Sequence, residues 1–589
     1  VVDLSLFLFM TGGTPMASVE VLKRQGLAGG IAGTIERDEA RFAKDDAQRM
    51  KHFGIYQQQE GNMVRLKIPG GRFTTEQYLA VSDIALRYAN HQFMITTRQD
   101  VQFHTVRPQH LRDIISLLDS LWTTTQGACG DVVRNVTSCP VSDLDSDSPY
   151  DTHPMTKRLS DAFLLNAPAY FEIFVPEKLM PPDLPAVNPI YGEALLPRKF
   201  KIGVALSTDN CTFPHTNDVG LIAVVNPAVP SGIDGFNVLV GGGLGSTPLK
   251  PSTHPALGQP LGMVAEEHVL AVVQAIVEVQ RDHGNRENRK EARLKYLVER
   301  WGIERFRDAV SERLIQQGRG IELASPRSIP HYLVATHLGL HAQRQPGRFY
   351  WGLPIANGEI SEDGQVTGKH DKALGGSNLV FFRNLVRDYR LGVRFSVNQD
   401  LILTDILASD IPDIRQRLED HGIPTENEVS PLRSQAHACV GVYHTASLDF
   451  PGEVARYCPL SFTEAKLFLP QLLHELENAG YGDLPVPINI TGCPNSCAFS
   501  AIGGIGLWGA LKRQADGHEY FDIRIGGAMD GTAPRLALPF RQRVRDDHVG
   551  PTIKGLFSLY RRERLSNESF SDFCYRLGAD DLQQRVPAR

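Results

Sequence analysis

Cysteine is scarce in this chain of 589 residues. Its eight thiols, Cys129, Cys139, Cys211, Cys439, Cys458, Cys493, Cys497 and Cys574, are too few to staple a chain of this length, which excludes a disulfide scaffold. Long hydrophobic runs are missing too, so no segment reads as a membrane span. The apolar start VVDLSLFLFM is short, contains Asp3 and has no basic stretch before it, which argues against a secretory signal. Met16-Ala17-Ser18 reads as a natural translation start, and residues 1–15 read as an upstream artefact. An excess of positive charge is absent as well. The net charge of −6 gives no global attraction to nucleic acid, so any anion site must be local. Free thiols without a span or signal give the expectation of a reducing, cytoplasmic location. No low-complexity linker interrupts the chain, so one interlocked body of several domains is expected.

What is present begins with a weak internal duplication. In Met63–Phe73, Val64, Leu66 and Ile68 alternate with Arg65 and Lys67, the pattern of a strand that leads into a glycine turn. Thr74 and Gln77 are spaced as a capping box for the helix that follows. A second strand is read over 93–106 and a second helix over 110–121. The same order returns from Phe349: an alternating Trp351, Leu353 and Ile355, a turn at Gly358, a helix over 377–390, a strand over 393–406 and a helix around 411–421. Gln99-Asp100 in the first copy matches Gln399-Asp400 in the second. Each copy therefore reads β-α-β-α, although periodicity alone also allows two unrelated α/β segments.

Four of the eight cysteines fall between 439 and 497. An iron–sulfur cluster needs four soft thiolates converging on one point. Cys493 and Cys497 are separated by three residues (C-x3-C) in INITGCPNSCAFS, at the tip of an expected strand where Pro494 and Asn495 favour a turn. Two buried thiols beside a turn is the plain alternative. Zinc is the rival metal, but the other pair shows no C-x2-C knuckle. In GGGLG (241–245) the spacing fails the dinucleotide fingerprint, since Ser246 follows Gly245, so these glycines are read as allowing close backbone approach to a macrocycle.

TGCPNSC closely resembles the second cysteine pair of the sirohaem sulfite and nitrite reductases, and the resemblance extends from about Thr34 to Gly578. Segments similar to the assimilatory sulfite reductase hemoprotein include GIYQQQ (54–59), TTRQDVQFH (96–104), RNV (134–136), LPRKFK (196–201), GFNVLVGGGL (235–244), GNRENRKEARLKYLVER (284–300) and CPLSFTEAKLFLP (458–470). The resemblance implies an α/β (α+β) fold of duplicated ferredoxin-like halves about a pseudo-two-fold axis, with two sirohaem-binding α/β domains. On this reading 1–60 is an N-terminal wrapping segment and 61–145 the first half. Residues 146–345 form the first sirohaem and substrate domain, 346–436 the second half and 437–589 the cluster domain. The implied cofactors are sirohaem and a [4Fe–4S] cluster.

The resemblance also implies residue roles. Arg65, Arg134, Lys199 and Lys201 match the four cations around the substrate anion. Two alternate residues such as Lys199 and Lys201 share one side of a strand, and crowded lysines are better acids. Arg98, His104, Asn135, Asn237 and Gln399 fall in motifs around the cofactor. Met94 stands where some relatives carry a further Arg. Cys497 matches the thiolate shared between cluster and sirohaem iron. Tyr56 and Cys129 match segments that carry a Tyr–Cys thioether in some members, with a free buried thiol beside a tyrosine as the alternative. The family's first pair is spaced C-x5-C, which from Cys439 would fall on Thr445, a residue that cannot replace a thiolate. Cys458 opens the matching segment instead, after an insertion of thirteen residues expected to form a surface loop beside the cluster, open to an electron donor. Cys439, Cys458, Cys493 and Cys497 are thus the expected ligands, and Ser461 and Glu464 are spaced as a cap for the next helix.

The implied activity is six-electron reduction of sulfite to sulfide, with electrons from a ferredoxin or a diflavin reductase subunit. Nitrite reduction is the alternative within the class. A catalytically silent sirohaem protein and a nucleic-acid binder are alternatives outside it. The four-cation set argues against the first of these, and the negative net charge against the second.

Overall fold

In the computed structural model, the residues described are 20–23, 31–36, 41–175, 187–247, 250–362, 378–425, 428–441, 444–446, 454–511 and 517–586. Residues 1–15, read above as an artefact, lie outside them. The run read as one strand over 93–106 is a hairpin of Gln92–Ile95 and Val101–Val106. The second copy does the same with Gly392–Phe395 and Leu401–Leu407. Each turn is closed by backbone bonds, Thr96 N to Asp100 O at 2.9 Å and Ser396 N to Asp400 O at 3.1 Å. Gln99 and Gln399 sit in these turns at φ of 58° and 71°, a region that non-glycine residues seldom adopt. Each half is therefore β-α-β-β-α, a correction to the simpler pattern. Hydrophobic alternation does not reveal the reversal, because all ten residues of the two strands in the first hairpin are buried.

The helices form where the periodicity placed them: Thr75–Tyr88, Leu111–Ser120, Leu379–Tyr389 and Ile411–Asp420. Thr74 Oγ1 accepts from Gln77 N at 3.2 Å while Gln77 Oε1 accepts from Thr74 N at 3.0 Å, which completes the capping box. Their apolar faces, among them Tyr78, Val81, Leu385 and Val386, join one core that spans both halves and the middle domain.

Each half lends a strand to the other. The first sheet runs Ile55–Gln57, Asn62–Arg65, Val101–Val106, Gln92–Ile95 and then Glu359–Ser361 from the second copy. The second runs Gly339–Ala342, Arg348–Leu353, Leu401–Leu407, Gly392–Phe395 and then Arg72–Phe73 from the first copy. The two turn glutamines lock this exchange. Gln99 Nε2 donates to Phe395 O at 2.9 Å, and Gln399 Nε2 donates to Ile95 O at 3.0 Å. Gln399, expected near the cofactor, thus binds one half to the other. Gln399→Glu should lower the thermal midpoint by several degrees, and Gln399→Ala by less. A carboxylate facing two carbonyls is worse than a missing donor, and a buried unsatisfied group costs about 1–3 kcal/mol. Equal midpoints for both variants and the parent would show that the amide carries no load.

A second repeat, not visible in the sequence, relates the middle and C-terminal domains. In the middle sheet Ile202–Leu206 pairs parallel with Val219–Val225, and then Ile233–Val240 and Gln259–Val264 follow antiparallel. Thr137 bridges Gly203 in parallel at its edge. In the C-terminal sheet Ile488–Thr491 pairs parallel with Ile505–Leu511, and then Tyr520–Ile525 and Leu538–Arg545 follow antiparallel. His437–Ala438 pairs in parallel at that edge. A long helix follows each sheet, Val269–His283 and Asp546–Glu563. Among the described residues no helix is long and apolar enough to cross a membrane.

Candidate active site: a cysteine quartet beside a basic cleft

The loops that leave the edge of the C-terminal sheet bring four thiols together. Cys439 follows the short edge strand, and Cys493 and Cys497 lie in the turn after Thr491. Cys458 arrives from another direction, after a two-stranded hairpin of His444–Ala446 and Val454–Arg456. That hairpin is the described part of the insertion expected as a surface loop; residues 442–443 and 447–453 fall outside the described residues. Thr445 pairs there with Ala455.

The four sulfurs are electrostatic neighbours. Burial, followed by Cys497 and Cys493, raises Cys439 well above the usual thiol range. Burial, then Cys497, pushes Cys458 up to about 11 and Cys493 to about 12. Four thiolates can share this place only if a cation neutralises them. Three of the sulfurs also accept hydrogen bonds from the chain. Gly492 N donates to Cys439 at 3.2 Å, Asn495 Nδ2 donates to Cys493 at 3.4 Å, and the amides of Leu460 and Ser461 point at Cys458. This donor set fits an iron–sulfur cluster. Gly492 is needed for the approach, since a Cβ there would lie 1.7 Å from Ser461 Oγ.

The helix after Cys458 starts later than expected, at Ala465. Ser461 Oγ donates to Thr463 O at 3.0 Å instead of capping. The cap is remote: Glu519 accepts from Glu464 N at 3.0 Å.

Cys497 opens onto a cleft of about 340 Å³. Arg98, Arg198, Lys199, Lys201, Arg289, Lys290, Arg293 and Lys295 line it, together with Thr137, Asn217 and Asn495. Two acids offset part of this charge. Asp218 takes both ends of the Arg293 fork at 2.9 and 2.8 Å, and Asp131 takes Arg289 at 2.6 and 2.9 Å. Lys199 and Lys201 flank Phe200, whose backbone bridges Val133 and whose side chain is buried. Neither ammonium has a hydrogen bond or ion pair among the described residues. Burial, then Arg198 and Lys201, lowers Lys199 well below the ordinary lysine range. Burial, then Arg98 and Arg293, lowers Lys201 to about 7, and burial, then Arg293, lowers Lys295 to about 7. Two buried atoms of the wall, Arg98 Nε and Thr137 Oγ1, have no hydrogen-bond partner among the described residues. Surplus cations and open donors fit a ligand bearing many carboxylates.

This crowding sets a pH dependence. In the ligand-free cleft Lys201 and Lys295 lose their protons as pH rises through about 7. A polycarboxylate favours the protonated forms and raises both pKa values, so it binds with proton uptake and more weakly at high pH. Calorimetry of sirohaem binding to apoprotein, in buffers of different ionisation enthalpy, should show uptake of about one to two protons at pH 8.5. It should also show weaker binding there than at pH 6.5. Proton release would contradict this assignment of charge.

The remaining sequence candidates divide. Arg98 lines the cleft and is held by Asn217 Oδ1 at 2.8 Å and Ile202 O at 3.0 Å. Asn135 donates to Ile68 O at 2.6 Å and Arg98 O at 2.8 Å, and so positions Arg98. Arg134 is gripped by the carbonyls of Gly130 and Ala128 at 2.9 and 3.0 Å. Arg65 donates to Cys129 Sγ at 3.4 Å and lies 3.8 Å from Asp100. Tyr56 lies on the strand beside Arg65, so the three form one corner. His104 is buried, bonded to Gln58 at 2.9 Å and stacked on Tyr457 at 4.3 Å, next to Cys458. Burial, then Lys466 and Arg65, holds it neutral with a pKa of about 3. Met94 is buried against Lys466 Nζ at 2.9 Å. Asn237 lies apart, with both ends of its amide bound to the Arg327 backbone at 2.8 and 2.9 Å. Gly242 also packs against backbone, where a Cβ would meet the oxygens of His215 and Asn217 at 2.3 and 2.4 Å, while Leu244 and Gly245 of the same segment line the cleft.

Five cations of the cleft, Arg198, Arg289, Lys290, Arg293 and Lys295, are absent from the candidates named by sequence. The signal for the last four is the basic density of RKEARLK (289–295), which also describes an ordinary solvated surface, and Arg198 adjoins the candidate Lys199 in LPRKFK (196–201).

A thiol quartet that opens onto a cation-rich cleft, carried on a duplicated α/β frame, defines an oxidoreductase whose chemistry resides in bound cofactors. Comparison with known proteins makes the class specific. The family model for the nitrite and sulphite reductase 4Fe-4S domain matches residues 129–317 and 455–589, and the ferredoxin-like half domain model matches 56–121. The ferredoxin sulfite reductase of Synechococcus elongatus is 32% identical over 97% of this chain and 90% of its own length. The NADPH sulfite reductase hemoprotein beta-component of Geobacillus kaustophilus is 31% identical over 96% of each chain. The solved structure of the Mycobacterium tuberculosis NirA protein superposes with a TM-score of 0.76 at 26% identity, covering 97% of this chain and 98% of that one. The chain belongs to the nitrite and sulphite reductase family, and its cofactors are a sirohaem and a [4Fe–4S] cluster.

Proposed function

We propose that the chain reduces sulfite to sulfide, with electrons supplied by a separate donor protein. The observation that carries this reading is the pair Lys199 and Lys201 in the cleft beside Cys497, two ammonium groups that make no ion pair or hydrogen bond among the described residues. The Synechococcus elongatus and Geobacillus kaustophilus relatives are named sulfite reductases, which favours sulfite over nitrite. Conversion of sulfite to sulfide takes sulfur from +4 to −2, a six-electron change for which the bound sirohaem and cluster would relay the donor protein's electrons.

The chain's own residues do the rest. Cys439, Cys458, Cys493 and Cys497 hold the cluster, with Cys497 nearest the cleft. Arg65, Arg134, Lys199 and Lys201 hold the substrate anion, and Lys199 and Lys201 hold protons at Nζ for the oxygens that leave as water. Asp131 and Asp218 keep Arg289 and Arg293 aimed along the wall. Tyr56 and Cys129, both at Arg65, are proposed as the thioether pair. The donor is a ferredoxin or a diflavin reductase subunit, the two classes printed in the relatives' names being ferredoxin and NADPH. The hairpin that leads into Cys458 is its proposed approach, and a reducing cytoplasm is the proposed setting.

The test is steady-state reduction of both anions by the holoenzyme with a chemical one-electron donor. The expected result is a kcat/KM for sulfite at least about tenfold above that for nitrite, a gap of about 1.4 kcal/mol in the barrier. A ratio in the opposite direction would make this a nitrite reductase with the same machinery.

A further inference from the structure

Behind the wall of the basic cleft lies a second cluster of soft donors that the reaction above does not use. Cys139, Asp209, Cys211 and His337 place one donor atom each within 4.8 Å of all the others. Cys139 Sγ is 3.6 Å from Asp209 Oδ2 and 3.7 Å from His337 Nε2, and these last two atoms are 3.2 Å apart. Both thiols are free and are hydrogen-bonding neighbours of each other. Tetrahedral zinc has bonds of about 2.3 Å to sulfur and about 2.0 Å to nitrogen or oxygen, which gives edges of about 3.3 Å between nitrogen and oxygen and about 3.5 Å from sulfur to either. The three measured separations fall on those edges to within about 0.2 Å. We propose that Cys139, Asp209, Cys211 and His337 form a structural zinc site.

Two further observations support it. The carboxylate of Asp209 is oriented from behind: its Oδ1 accepts from the amides of Cys211 and Ala335, both at 3.1 Å, which leaves Oδ2 turned to the other donors. Outer contacts of this kind fix ligands at metal sites. The location also repeats the cysteine quartet. In the C-terminal domain a thiol follows the parallel edge strand (Cys439), and more thiols lie in the loop after the next strand (Cys493 and Cys497). In the middle domain Cys139 follows the edge bridge at Thr137, and Asp209 and Cys211 lie in the loop after Ile202–Leu206. His337 completes the set from the segment that leads into Gly339–Ala342. Two cysteines, one histidine and one carboxylate suit a single zinc ion better than a cluster of four irons.

The ion would join three chain segments at the back of the cleft. Thr137 and Thr212, which line the cleft, are two residues and one residue from the two thiols. Asn210 adds a tie from the same loop, donating from Nδ2 to Met529 O at 2.7 Å.

The test uses the holoenzyme with its iron complement intact. Elemental analysis should find about one zinc per chain. The zinc absorption edge should report two sulfur neighbours at about 2.3 Å and two lighter ones at about 2.0 Å. Cys211→Ser and His337→Ala should each lower zinc at least about tenfold while iron stays at the parent level. Should either variant fail to fold, the wild-type measurements decide alone. Three results would each overturn the proposal: no zinc retained after incubation with the metal and gel filtration, a shell of four sulfurs (zinc in the cluster cysteines), or a Cys139–Cys211 disulfide in the peptide map.

Discussion

Cys458→Ser is expected to abolish the reduced-cluster EPR signal and to lower sulfite turnover by more than about 100-fold, since even the outer partners of metal ligands are worth about 10–100-fold. Thr445→Ala, at the position a strict C-x5-C count would choose, is expected to leave both unchanged. The contrast follows from the chain's path. Thr445 lies in the inserted hairpin, paired with Ala455, whereas Cys458 lies just beyond it. Cys458 is half-buried, with Cys497 as its strongest neighbouring charge, and two backbone amides point at its sulfur. Iron content and EPR of the purified variants provide the check. A Cys458→Ser protein with full iron and a native signal would remove Cys458 from the ligand set.

Lys199→Ala is expected to lower kcat/KM for sulfite by about 10²–10³-fold with sirohaem and cluster spectra retained, the usual size of effect for one lost electrostatic donor. The conservative variant separates its two roles. Lys199→Arg keeps the charge, so KM should stay within a few-fold of the parent. A guanidinium does not give up its proton near neutrality, so kcat should still fall by about 100-fold or more. Arg134→Ala is expected to lower turnover comparably, but it also releases the carbonyls of Gly130 and Ala128, so Lys199 is the cleaner probe. Parent-like kinetics in Lys199→Ala would take this residue out of the substrate site.

Some of this was legible in the sequence because it is local. The capping box at Thr74 and Gln77 sits within one turn, and the helices over 75–88 and 379–389 follow from apolar spacing. The thiols at 439, 458, 493 and 497 stand out because cysteine is rare in this chain. Other features depend on contacts between distant residues. The reversals at Gln99 and Gln399 are held by amides that reach carbonyls 296 and 304 residues away. The helix at Ala465 is capped by Glu519, 55 residues on, so the Ser461–Glu464 spacing was misleading. Asn237, expected around the cofactor, binds the Arg327 backbone with both ends of its amide, a contact its own motif does not disclose. The cations of 289–295 gain their meaning only when Asp131 and Asp218, far back in the chain, turn them inward.

The reciprocal strands have a consequence for synthesis. The first sheet needs Glu359–Ser361, which leaves the ribosome about 250 residues after Val106. At about 5–20 residues per second that delay lasts tens of seconds. Throughout it the edge Gln92–Ile95 stays unpaired and apolar, the kind of edge on which nascent chains aggregate. The N-terminal half therefore cannot mature as it emerges, and the yield of this enzyme in a cell should respond to translation speed and chaperone supply more than to the stability of the finished fold.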